Sequence, residues 1–116
     1  MLKVLMVFGT RPEAIKMAPL ARLLNSTKGI ELRICSTGQH REMLQQVLAS
    51  FNLRADENLE VMTQNQSLSG LSQQLLSSLD QVYQRLCPDI VLVHGDTTTS
   101  FIATLAAFYR QIPVAH

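Results

Sequence analysis

No stretch of this chain approaches the ~20 consecutive apolar residues that a membrane helix requires. Its opening, MLKVLMVFGTRPEA, is too briefly apolar for a signal peptide and lacks a small-residue cleavage site. An excess of one charge is missing too. The formal net charge of +1 gives no general attraction to nucleic acid or to an anionic membrane, so any anion site must be local. Cysteine is scarce: Cys35 and Cys87 lie far apart in apolar contexts and are expected as reduced structural residues, not as a disulfide. Cys and His never cluster with the spacing of a zinc site. Repeats, linkers and low-complexity tracts are also lacking. Together these absences predict a cytoplasmic chain with no membrane span, no nucleic-acid partner and no metal.

What remains is an ordinary globular composition. Apolar residues make up 47% of 116 positions and charged residues 16%, enough for one domain around one core. Residues 3–8 (KVLMVF) form a short apolar run stopped by Gly9, as in a central parallel strand covered on both faces. Thr10-Arg11-Pro12-Glu13 has the spacing of a capping box opening a helix to about Asn25, with Pro19 expected to kink it. Residues 31–37 read as a second strand, and residues 39–51 as a helix with the stripe Met43, Leu44, Val47, Leu48, Phe51. A short strand is expected near residues 59–62. From Ser67, Leu68, Leu71, Leu75, Leu79, Val82 and Leu86 recur at helical spacing until Pro88. Residues 89–94 (DIVLVH) predict another buried strand, residues 96–110 a helix, and residues 112–115 the start of a fifth strand. Strands alternating with helices predict an α/β fold with a doubly wound, Rossmann-like parallel sheet. The stop just after a strand-like run predicts that residues 1–116 are one truncated domain.

In such sheets ligands bind beyond the carboxyl ends of strands, where helix amino termini present free N–H groups. Two loops there carry polar chemistry. In the first, Gly9 permits close backbone approach, Arg11 offers a planar donor fork suited to phosphate, and Lys16 adds a second cation. The loop contains neither Gly-x-Gly-x-x-Gly nor the Gly-Lys-Ser/Thr ending of a P-loop, so neither a dinucleotide site nor an ATPase is supported. The competing reading keeps Thr10 and Glu13 as helix caps and Arg11 and Lys16 as solvated surface. The second loop is His94-Gly95-Asp96-Thr97-Thr98-Thr99-Ser100. Asp96 fits equally an N-cap or a ligand-binding carboxylate, and four hydroxyl residues in a row suggest a ligand rich in hydroxyl or phosphate oxygens. His94 reads first as a satisfied core residue at a strand end, and His40 and Arg41 as a solvated helix start.

Three segments, GTRPEAIKMAP (9–19), TGQHREML (37–44) and DIVLVHGDTTTS (89–100), resemble the non-hydrolysing UDP-N-acetylglucosamine 2-epimerases over essentially the whole chain. The resemblance implies the N-terminal half of a two-domain, glycosyltransferase-B-type fold with substrate in the cleft between domains. It implies an isomerase that interconverts UDP-N-acetylglucosamine and UDP-N-acetylmannosamine by eliminating and re-adding UDP, cytoplasmic and homodimeric at full length. The isolated 116-residue segment is expected to be inactive. No cofactor is implied. Carried over by position, Arg11 and Lys16 match substrate-binding basic residues and Asp96 an active-site acid. Gln39 matches a segment that binds a regulatory UDP-sugar in some members, but Glu42 and Asn65 depart from that pattern. The alternatives are a nucleotide-sugar glycosyltransferase of the same fold, against which GTRPEAIKMAP weighs, and a non-catalytic nucleotide-binding domain. A receiver-like version of the latter needs acidic residues after the first strand, where Phe8-Gly9-Thr10 stands.

Overall fold

The computed structural model describes residues 1–38, 41–61, 63 and 65–116. Gln39, His40, the side chain of Arg41 and Met62 of the expected third strand lie outside the described residues. The elements run β1 (Leu2–Phe8), α1 (Arg11–Asn25), β2 (Ile30–Ser36), α2 (Arg41–Ala49), β3 (Glu57–Asn58), α3 (Leu68–Leu86), β4 (Ile90–Leu92), α4 (Thr98–Tyr109) and β5 (Val114–Ala115). All strands pair in parallel, in the order β3-β2-β1-β4-β5.

β1 is central, which explains its unbroken apolar run: Val4 to Phe8 are all buried because helices cover both faces. Alternation along the strand divides the core in two. Met6 and Phe8 pack with Ala14, Met17 and Ala21 of α1 and Leu44 and Leu48 of α2. Leu5 and Val7 pack with Leu71, Leu75, Leu79 and Val82 of α3 and Ile102, Ala103 and Ala106 of α4. The leucine stripe of α3 is therefore the inner face of the second layer, except that Leu68 is exposed. Ser67 caps this helix by accepting from the Gly70 N–H at 2.9 Å. Cys87 closes it in the left-handed conformation, directly before Pro88.

Three expectations need correction. The third strand is Glu57–Asn58, earlier than residues 59–62. Pairing decides its position: the Asp56 N–H donates to the Ile34 carbonyl and the Leu59 N–H to the Ser36 carbonyl, so the ladder ends where the apolar residues begin. Cys87 is exposed at a helix end, whereas Cys35 is buried in β2; both are free. His94 is half-buried beyond the end of β4 and is not a core residue. The first helix runs to Asn25 as expected, with Pro19 inside it.

Candidate functional site

Strand order reverses direction between β1 and β4. From β1 the chain winds outward through β2 to β3, and β4 then returns to the other side of β1. The carboxyl ends of β1 and β4 thus form the topological switch point, the place where open α/β sheets bind ligands. Both polar loops of the sequence sit there.

The first loop enters α1 through a complete capping box. Thr10 Oγ1 accepts from the Glu13 N–H at 3.4 Å, and Glu13 Oε1 accepts from the Thr10 N–H at 2.9 Å. The same oxygen also accepts from the Gly9 N–H (3.0 Å) and the Thr10 hydroxyl (2.9 Å). Arg11 is exposed at the first helical position, where the helix dipole adds partial positive charge to its own. Lys16 is exposed too, but at five residues' separation it lies about 140° around the helix axis from Arg11 and not beside it. Arg11 also borders a depression of about 240 Å³ shared with Met43, Gln46, Val47 and Ser50 on the α2 side. A larger hollow of about 420 Å³, lined by Leu32, Ile34, Leu53 and the polar Asn25, Arg54 and Asp56, includes none of the switch-point residues.

The second loop removes the cap role from Asp96. The N-cap of α4 is Thr97, whose Oγ1 accepts from the Ser100 N–H at 3.2 Å. Asp96 precedes the cap and is exposed, so its carboxylate is not committed to the helix. Gly95 makes this turn at φ +81°, a conformation costly for any residue with a Cβ. Its carbonyl accepts from the Ser100 hydroxyl (2.9 Å), and a ring nitrogen of His116 lies 2.7 Å from it. The run of hydroxyls is largely internal. Thr97 caps, Thr99 pairs with Thr37, and Ser100 bonds the carbonyls of Gly95 and Thr97; Thr98 is half-buried.

The structure therefore brings Arg11 and Asp96 to one end of the sheet and leaves Lys16 on another sector of α1. It also reveals residues that sequence reasoning missed. Glu13 is only 4% exposed, and its second oxygen, Oε2, accepts from the Thr97 hydroxyl at 2.8 Å, 84 positions away. Thr37 and Thr99, both fully buried, share a hydrogen bond at 3.1 Å that joins the end of β2 to α4. Gly38 lies so close to Gly9 that a Cβ would stand 2.1 Å from the Gly9 carbonyl oxygen. The capping-box spacing was a signal for Glu13's local role, but nothing in the sequence signals its reach to Thr97. Among the described residues no group of three or more His, Cys, Asp or Glu side chains could hold a metal ion. Among them, too, no helix is long and apolar enough to cross a membrane.

A family profile described as UDP-N-acetylglucosamine 2-epimerase matches residues 22–116. The UDP-N-acetylglucosamine 2-epimerase of Neisseria meningitidis is 56% identical over 115 residues, covering 99% of this chain and 31% of that protein. The Campylobacter jejuni protein of the same name is 48% identical over 114 residues, covering 98% and 30%. The crystal structure of the N. meningitidis enzyme bound to UDP-GlcNAc superposes with a TM-score of 0.92 over 97% of this chain and 30% of that one. The Methanocaldococcus jannaschii enzyme, in complex with UDP-GlcNAc and UDP, gives a TM-score of 0.89 at 31% identity, covering 99% and 32%. The chain spans about 30% of the length of the curated relatives it matches. With the profile covering most of its length and the fold superposing throughout, this chain belongs to the UDP-N-acetylglucosamine 2-epimerase family.

Proposed function

We propose that this chain is the N-terminal Rossmann-like domain of a two-domain enzyme that interconverts UDP-N-acetylglucosamine and UDP-N-acetylmannosamine. The observation that carries the reading is the switch-point crevice, where exposed Arg11 heads α1 and Asp96 stands clear of the helix cap that Thr97 provides. The chemistry needs both kinds of group. A base takes the proton from C2 of the sugar, the C1–C2 double bond forms, and the electron pair of the C1–O bond leaves with UDP. UDP then adds back to C1 while a proton is delivered to the opposite face of C2, so atoms and charge balance. Arg11 and the positive end of α1 stabilise the departing diphosphate. Asp96 takes part in the proton transfer or orients the sugar hydroxyls. Lys16 adds positive charge to the same helix, on a sector about 140° from Arg11.

Relatives solved with UDP-GlcNAc and with UDP support a UDP-sugar as the ligand. The reading carries a cytoplasmic enzyme with no cofactor, homodimeric at full length. Phe101 and Phe108, seven residues apart on one side of α4, are 65% and 71% exposed, which supports burial of that side against further protein. The test compares the 116-residue chain with the full-length protein carrying it, each incubated with UDP-N-acetylglucosamine and resolved into epimers by NMR. Turnover is expected from the full-length protein only. Comparable turnover by the 116 residues alone would overturn the two-domain assignment, and none from either would overturn the activity.

A further inference from the structure

Glu13 does more than a capping box asks of it. A capping-box glutamate needs only to accept from the N-cap N–H, and at a helix start it commonly stands in water. Here the carboxylate is buried, and both oxygens are engaged on different parts of the fold. Oε1 holds the Gly9 N–H, the Thr10 N–H and the Thr10 hydroxyl, which fixes the loop leading to Arg11. Oε2 holds the hydroxyl of Thr97, the residue directly after Asp96. Thr97 in turn fixes the start of α4 through the Ser100 N–H. One side chain therefore joins the loop after β1 to the loop after β4, the two loops that carry the groups proposed for leaving-group binding and for the sugar.

We infer that Glu13 is the positioning residue that sets Arg11 and Asp96 at the spacing which the reaction requires. The inference rests on the proposed epimerase reading of this site. Its physical basis is the length of the reacting group. UDP and the sugar C2 belong to one substrate, so the loop that holds the diphosphate and the loop that meets the sugar must keep a fixed separation. A loop free to drift can still bind its own part of the ligand. It cannot align both parts at once, and a misplacement of about 1 Å is enough to cost about a hundredfold in rate. Glu13 touches neither part itself and acts wholly through its neighbours.

Two substitutions in the full-length protein test this. Glu13→Gln preserves shape and one acceptor but presents an amide N–H₂ where Oε2 accepted from Thr97. Thr97→Val removes the hydroxyl, and Thr97→Ser restores it. The readouts are kcat for epimerisation, affinity for UDP alone by calorimetry, and the melting temperature. A positioning role predicts that Glu13→Gln and Thr97→Val each lower kcat about tenfold to a hundredfold, leave UDP affinity within about threefold, and combine with less than additive effect. Thr97→Ser should recover most of the loss. Should Glu13→Gln not fold, Thr97→Val against Thr97→Ser carries the comparison, with the loss of the α4 cap in Thr97→Val read from its melting temperature and the misalignment from kcat at unchanged UDP affinity. Unchanged kcat in Thr97→Val, or a fall in kcat matched by equal losses of UDP affinity and melting temperature, would reduce Glu13 to a structural staple. Lack of epimerisation by the unsubstituted full-length protein would instead refute the reading on which the inference rests.

Discussion

At the scale of single residues, Asp96 is the position where structure changed the question. Its sequence context allowed a helix cap, and a cap would tolerate Asn as well as Asp. With Thr97 occupying that role, stability gives Asp96 no claim on its charge. Asp96→Asn in the full-length protein should lower kcat by about 10²–10⁴, the range of general acid–base contributions, while the melting curve barely moves. Retention of most activity would remove Asp96 from the reaction. Arg11→Ala should weaken UDP binding roughly tenfold to a hundredfold, since a charge-assisted contact is worth about 1.5–3 kcal/mol; equal affinity by calorimetry would make Arg11 solvated surface. Cys35 makes a separate prediction. Burial pushes its thiol up to about 12, with the nearby Glu57 carboxylate adding to the rise. The folded state thus keeps the proton while the unfolded chain loses it near the ordinary thiol value. Stability from this source is complete below that value and declines as pH rises towards 12. Burial raises the Tyr83 hydroxyl in the same direction. Urea midpoints should fall between pH 8 and pH 10.5, and less so in Cys35→Ala; midpoints independent of pH would contradict the burial of these groups.

At the scale of elements, residue patterns made the long helices and the central strand legible. The α3 leucine stripe, the Ser67 cap and the Thr10–Glu13 box each rest on neighbours three or four positions apart, which a sequence displays directly. β3 was misplaced because only two residues pair, and the Ile34 and Ser36 carbonyls of β2 define them. Nothing local to residues 57–62 encodes that register. The second loop was half legible. Its hydroxyls announced an unusual turn, but their partners, Glu13 and Thr37, lie more than sixty positions away. The close approach of Gly38 to Gly9 was equally hidden, although it joins the ends of β1 and β2. Because the obstructing atom is backbone, Gly38→Ala cannot be relieved by a side-chain rotation. The substitution should cost about 1–3 kcal/mol in urea unfolding, the usual range for overpacking. A loss below about 0.5 kcal/mol would mean that the two loops separate freely.

At the scale of the whole molecule, the two-layered core serves to present three loops at one end of a sheet. β1 is covered on both faces, β2 and β4 flank it, and the buried Thr37–Thr99 and part-buried Glu13–Thr97 contacts lock their loops together. The reaction proposed for this frame, elimination and re-addition of UDP, leaves an isotopic mark. Elimination and re-addition exchange the proton at C2, whereas a route that never breaks the C2–H bond does not. The most direct measurement is therefore to incubate the full-length protein with UDP-N-acetylglucosamine in deuterated water and follow C2 by proton NMR. UDP-N-acetylmannosamine carrying deuterium at C2 is expected, with the rate reduced in Asp96→Asn. Formation of that epimer with its C2 proton retained, or no epimer at all, would contradict the proposed reaction.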